Sequence, residues 1–157
     1  MSAFKKFLFL LLLPVFVAFA PAGPIVKKEQ ARRVIRRTAV VILIAHKKVK
    51  EEKIYTGNLA RAISHQKFAI TLYRRGEYFR AIHHSRRARA LSILAIKANK
   101  GAETAEMKFE KDDDVAMKTA PKDEDLDKSV AKEMPAEPVK DEEVVAAEPT
   151  VDLKGDE

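Results

Sequence analysis

From Ile25 to Ala120 the chain contains no proline, and its glycines there fall only at Gly57, Gly76 and Gly101. Proline blocks helix interiors, and glycine supplies the left-handed conformation that closes a helix. A stretch punctuated in this way is expected to form three long helices that break at those glycines. The apolar pattern agrees. Between about Val26 and Lys53, residues Ala31, Val34, Ile35, Thr38, Val41, Ile42, Ala45 and Val49 recur at three- and four-residue spacing and share one side of a helix. Thr38 to Ala45 is apolar all round and rich in β-branched residues, so a buried strand is the rival reading there. A lone strand would have no partner in this chain, which leaves helix as the expectation.

Tyr55-Thr56-Gly57-Asn58 reads as a turn, with Asn58 the expected N-cap of a second helix over about Leu59 to Arg75. That helix has two apolar flanks, Leu59, Ile63, Ile70 and Tyr73 on one and His65, Phe68 and Leu72 on the other. It is therefore expected to lie between two neighbours. Gly76 ends it, Glu77 sits where its charge suits the next helix dipole, and a third helix follows over about Tyr78 to Asn99. Small residues at Ala81, Ser85, Ala88, Ser92 and Ala95 let the second helix approach closely. Its opposite face carries Arg80, His83, Arg86 and Arg87, and Gly101 is placed to finish it.

Charge divides the chain. Pro24 to Lys100 holds 20 Lys plus Arg against 4 Glu, a net of +16, whereas Gly101 to Glu157 holds 8 Lys against 19 Asp plus Glu, a net of −11. The acidic part has four prolines and a single aromatic, Phe109. It lacks the apolar area to offset chain entropy, and disorder is the expectation. Asp123 to Lys132 has the capacity for a short helix, with Leu126 and Val130 as a thin apolar edge. A flexible tail of 57 residues spans roughly 40–45 Å, so it can reach any face of the domain and screen its arginines.

The N-terminus pairs Lys5 and Lys6 with a 14-residue apolar run, Phe7 to Ala20, followed by small residues and prolines. This is the layout of a signal peptide, with cleavage expected before Gly23 and export to a periplasmic or extracellular space. A permanent N-terminal membrane anchor is the rival reading, but a spanning helix needs about 17–25 apolar residues. The expected organisation is thus a signal peptide over 1–22, a basic helical domain over 23–100 and an acidic disordered tail over 101–157. With no cysteine in the sequence, neither disulfides nor thiolate chemistry are available.

Gly76-Glu77-Tyr78 followed by Ala81, Ile82, Ala88 and Leu91 resembles the turn and second helix of a tetratricopeptide repeat, with Ala69 and Leu72 matching upstream. His65 stands at the family's tryptophan position, Ser85 replaces an aromatic, and no proline follows near Ile93. The likeness covers about 35 residues, one repeat, where a solenoid stacks about three. It implies an all-α, three-helix domain with a repeat-like hairpin, and protein or peptide binding.

No nucleophile elbow, phosphate loop or histidine pair at metal-ligand spacing is present, so no catalytic residue, metal or cofactor is expected. Asp112-Asp113-Asp114 lacks the spaced oxygens of a calcium loop. The candidate chemistry is anion binding by two arginine clusters, Arg32, Arg33, Arg36 and Arg37, and Arg74, Arg75, Arg80, Arg86, Arg87 and Arg89, because a guanidinium grips carboxylate or phosphate through two parallel donors. Sequence-specific nucleic-acid reading is not expected without interleaved aromatics. Val40, Leu43 and Ile44 lie off the main apolar stripe of the first helix; extra cover within the chain is one reading, and a candidate protein contact, with an unknown partner or within a homodimer, is the other. An anionic polymer or lipid surface is the partner that the arginines alone imply.

Overall fold

A computed structural model describes residues 27–114, 119–134 and 139–147. The expected signal peptide lies outside them. The described residues form helices and no strand: α1 Lys28–Glu52, α2 Asn58–Arg74, α3 Tyr78–Ala98, a 3-10 turn at Ala105–Met107, then α4 Lys111–Asp114, α5 Asp123–Glu133 and α6 Asp141–Ala146. None is long and apolar enough to cross a membrane. Helices α1, α2 and α3 pack against one another as a three-helix core, and the β-branched stretch Thr38 to Ala45 is helical.

The hairpin between α2 and α3 closes as the glycine predicts. Gly76 takes φ +80°, its N–H donates to the Tyr73 carbonyl at 3.0 Å, and the Glu77 N–H donates to the Leu72 carbonyl at 2.9 Å. This pair of bonds satisfies the last carbonyls of α2. The end of α3 uses the same bonds differently. Lys100, not Gly101, adopts the left-handed conformation, with φ 54°. Gly101 is required one step later, where its N–H donates to the Ile96 carbonyl at 2.9 Å and an added Cβ would lie 2.3 Å from the Ile96 side chain.

Two apolar clusters fill the core. One gathers Val41, Ile42, Val49, Leu59, Leu91 and Ile96, the other Val34, Ile35, Phe68, Leu72 and Ile82. A buried polar layer crosses the core as well. Gln66 Nε2 donates to the Ile35 carbonyl at 2.8 Å, Ser85 Oγ donates to Gln66 Oε1 at 3.1 Å, and Thr38 Oγ1 donates to the Ser85 carbonyl at 3.2 Å. Each of the three helices contributes one member. Sliding any helix by a turn would leave buried polar atoms unpaired, at about 1–3 kcal/mol for each, so the layer sets the register.

At its described residues the acidic segment includes short helices that lie on the core. Met107, Leu126 and Val145 are buried, and α5 and α6 lie on the core helices. Here three apolar anchors are supplemented by carboxylates seated on a strongly basic domain. Two of those carboxylates, Asp113 and Asp141, are essentially inaccessible. His83, expected on an outward face of α3, is buried, with its ring edge-on to Phe79 at 4.4 Å between centroids.

Candidate functional site

The acidic segment meets the basic core at three places. The first is α3's Arg89, wholly buried. Its guanidinium donates to Thr38 Oγ1 at 3.2 Å, to the Val34 and Lys108 carbonyls at 3.3 Å and to Asp113 Oδ2 at 3.1 Å. Burial pulls the Arg89 guanidinium downward and the Asp113 charge opposes that pull; an arginine stays protonated regardless. Arg37 joins the edge of this pair, 2.6 Å from Glu110 and 3.8 Å from Asp113. The Phe109 ring lies against both Arg86 and Arg89, 5.1 and 5.2 Å from their guanidinium carbons.

The second place is the start of α2. Gly57, at φ 77°, occupies the cap position, and the expected N-cap residue Asn58 is instead the first helical residue, with no local side-chain cap. Asp141 supplies the cap from the acidic segment. Its carboxylate accepts the backbone N–H groups of Thr56 at 2.9 Å, Gly57 at 2.6 Å and Ala60 at 2.8 Å. An anion at a helix N-terminus satisfies orphan donors and faces the positive end of the helix dipole. His46 Nε2 donates to the Val144 carbonyl at 3.2 Å and ties α6 to α1.

The third place joins most of the ionisable chemistry. Asp127 of α5 points at α2 and α3. Its Oδ1 accepts from His65 Nε2 at 2.9 Å and Arg87 Nε at 3.2 Å, and its Oδ2 accepts from Arg87 Nη2 at 3.0 Å and from Arg61. Partial burial raises the Asp127 carboxyl, but hydrogen bonds from Arg87 and His65 and the arginine charges outweigh it and hold the group down at about 2. Arg87 also reaches Asp123 at 2.6 Å, and Arg80 bridges Glu77 and Glu133.

Behind Asp127 runs a chain of hydrogen bonds. A carboxylate can only accept, so His65 presents its Nε2–H to Asp127 and its Nδ1 becomes an acceptor. His84 then donates Nδ1–H to it across 3.1 Å, leaving His84 Nε2 to accept from Ser129 Oγ, also at 3.1 Å. The Ser129 hydroxyl has one proton and a second acceptor, the Leu126 carbonyl at 2.9 Å. Burial lowers His65 against the pull of Asp127, and burial with the charges of His65 and Arg80 pushes His84 down to about 3. The His65–Asp127 contact at neutral pH is therefore a hydrogen bond from a neutral imidazole and not an ion pair. Hydroxyl, imidazole and carboxylate in this order resemble a nucleophile with its base and orienting group. A base held at about 3 is poorly matched to proton abstraction at neutral pH, and the arrangement is better suited to fixing α5.

The structure thus distributes the expected anion-binding arginines. Arg80 and Arg87 converge on α5, and Arg37, Arg86 and Arg89 gather around Phe109 and Asp113. Arg33, Arg36, Arg74 and Arg75 are exposed, and Arg32 pairs with Glu29 at 3.0 Å. Val40 and Leu43 are exposed at 40% and 41%, whereas Ile44 packs onto the core. Arg61, His65, His84, Ser129 and the receiving carboxylates Asp113, Asp127 and Asp141 were not legible as site residues. The two apolar flanks of α2, one of them holding His65, were the available signal. Among the described residues no group of three or more acidic or histidine side chains is placed to hold a metal. Comparison with protein families, curated proteins and solved structures finds no match for this chain.

Proposed function

We propose that the chain is an exported, non-catalytic interaction module whose basic α2–α3 face captures a carboxylate-bearing protein partner, and that its own acidic segment occupies this face. One observation carries the reading. Four donor atoms from Arg61, Arg87 and His65, on two helices, converge on the single carboxylate of Asp127. All the acceptor directions of that carboxylate are used, and the bidentate grip of Arg87 is the geometry by which proteins recognise carboxylates on other molecules. Export rests on the layout of Lys5 to Gly23 in the sequence. The tetratricopeptide-like hairpin supports peptide binding by resemblance.

The test is a cross-linking pull-down from the exported fraction with the unmodified chain and an Arg61→Ala/Arg87→Ala variant. Proteins captured at low salt by the former and lost by the latter support the reading, and an identical set from both sinks it. Exposure of Arg33, Arg36, Arg74 and Arg75 favours a second reading, an anionic envelope polymer or lipid surface. Heparin or anionic-vesicle binding that falls steeply with salt and survives the Arg61→Ala/Arg87→Ala change would select it.

A further inference from the structure

The three contacts of the acidic segment are not equivalent. Asp113 and Asp141 are buried to 0% and 1%, and each completes a part of the core that would otherwise hold unpaired groups. Between these anchors α5 is held differently. Its carboxylates stay partly in water, with side-chain exposures of 63% at Asp123, 30% at Asp127 and 31% at Glu133. Its apolar contribution is Leu126, together with the partly buried Val130 and Met134 that pack on the Phe68–Ile82 cluster. An isolated helix of 11 residues is below the roughly 12–15 residues at which helices become marginally stable in water. So α5 is the part of the segment that can lift off while both anchors hold.

The residues by which α5 is gripped also form a pattern. The carboxylates stand at positions 123, 127 and 133, and the apolar contacts at 126, 130 and 134. These positions recur at three- and four-residue spacing and make one face of a helix. The face reads Asp-x-x-Leu-Asp-x-x-Val-x-x-Glu-Met. Ser129 adds one contact to His84 at 3.1 Å.

From this pattern we infer that the α2–α3 face is a receptor for an acidic amphipathic helix of another protein, and that α5 is its tethered occupant. The inference rests on the interaction-module reading and names the partner's chemistry. The ligand is a helix carrying carboxylates at i, i+4 and i+10, with apolar residues at i+3, i+7 and i+11. Arg87 and Arg61 read the carboxylate at i+4, Arg80 reads the one at i+10, and the Phe68–Ile82 cluster takes the apolar edge. A tethered α5 competes at an effective concentration on the order of millimolar, so a partner helix must bind intrinsically well below that range to displace it. Displacement also leaves Asp113 and Asp141 in place, so the core need not unfold when the partner arrives.

The experiment is fluorescence anisotropy with a labelled synthetic peptide of residues 119–134 and the full chain. In the chain carrying Leu126→Asp, which weakens the internal competitor, the peptide is expected to bind at least about tenfold more tightly than to the unmodified chain. Adding Arg87→Ala should cost about tenfold or more, as for loss of a bidentate charged contact. A scrambled peptide of the same composition should not bind. Should Leu126→Asp lower the helicity of the whole chain, the surface variant Asp123→Asn/Asp127→Asn replaces it. No peptide binding to a folded variant, or equal binding of the scrambled peptide, overturns the inference. A dimer of the unmodified chain that Arg87→Ala breaks would hand the face to a second copy's α5 and also overturn it. Peptide failure combined with capture of exported proteins that depends on Arg61 and Arg87 would leave the interaction-module reading standing.

Discussion

Replacing Asp113 by alanine leaves the Arg89 guanidinium buried without its counter-charge. In the intact chain all five guanidinium N–H directions are used, on Thr38, the Val34 and Lys108 carbonyls and Asp113. The substitution removes the only formal charge among these acceptors, and the Glu110 N–H loses its bond to Asp113 Oδ2 at 2.8 Å. Breaking one partner of a buried pair costs about 3–5 kcal/mol, because the remaining charge stays desolvated. A small domain has about 5–15 kcal/mol in total, so the loss should take about a fifth of it or more. Urea unfolding followed by far-UV circular dichroism measures this directly. The double variant Arg89→Met/Asp113→Ala should recover most of the loss, since replacing a whole buried pair by apolar groups is near neutral. A single variant within about 1 kcal/mol of the parent, or a double variant no better than the single, would refute the burial of this pair.

Other expectations follow from the same contacts. Asp141→Ala removes the distant cap of α2 and should cost about 1–2 kcal/mol, with faster hydrogen exchange at Gly57 and Ala60; unchanged exchange there would contradict the cap. Burial pushes His83 down to about 4, aided by the Arg86 charge, and His84 down to about 3, both from an ordinary 6.5. The unfolded chain therefore binds more protons between those values, and stability present above pH 6.5 is lost as pH falls toward 4 and 3. At pH 5 this amounts to about 2 kcal/mol for each imidazole, and equal urea midpoints at pH 7.5 and pH 5 would count against it. Gly76→Ala should cost about 1–2 kcal/mol from its left-handed backbone alone, because an added Cβ there meets nothing within 4 Å. Gly76→Asn should cost less, and thermal unfolding of the two variants compares them.

The three core helices were legible because their signals are local. Apolar spacing, the absence of proline and the glycines at the two hairpin ends each act within a few residues, and Gly76 closes α2 with the bonds that its position implies. The cap of α2 and the bond from Ser129 to His84 were not, since each depends on a residue more than 40 positions away. The seat of the acidic segment's described residues was not legible either. Leu126, Met107 and Val145 are few, and the carboxylates that complete their hold gain meaning only once Arg61, Arg87 and Arg89 are placed in space. The helical capacity of Asp123 to Lys132 was visible, but its seat was not. Arginine positions on helix wheels predicted which residues could hold anions without showing that Asp113, Asp123, Asp127 and Glu133 already occupy several of them.

In the bound arrangement α5 sits on the α2–α3 face as its occupant. Because the sequence has no cysteine, a nitroxide attached through Lys128→Cys, an exposed position on α5, would be the one label on the chain. Paramagnetic broadening of backbone amides in the otherwise unmodified full chain then reports where α5 lies. Broadening concentrated around Arg61, His65 and Arg87 is the expected result. Broadening confined to residues 119–134, or spread evenly over the chain, would contradict it.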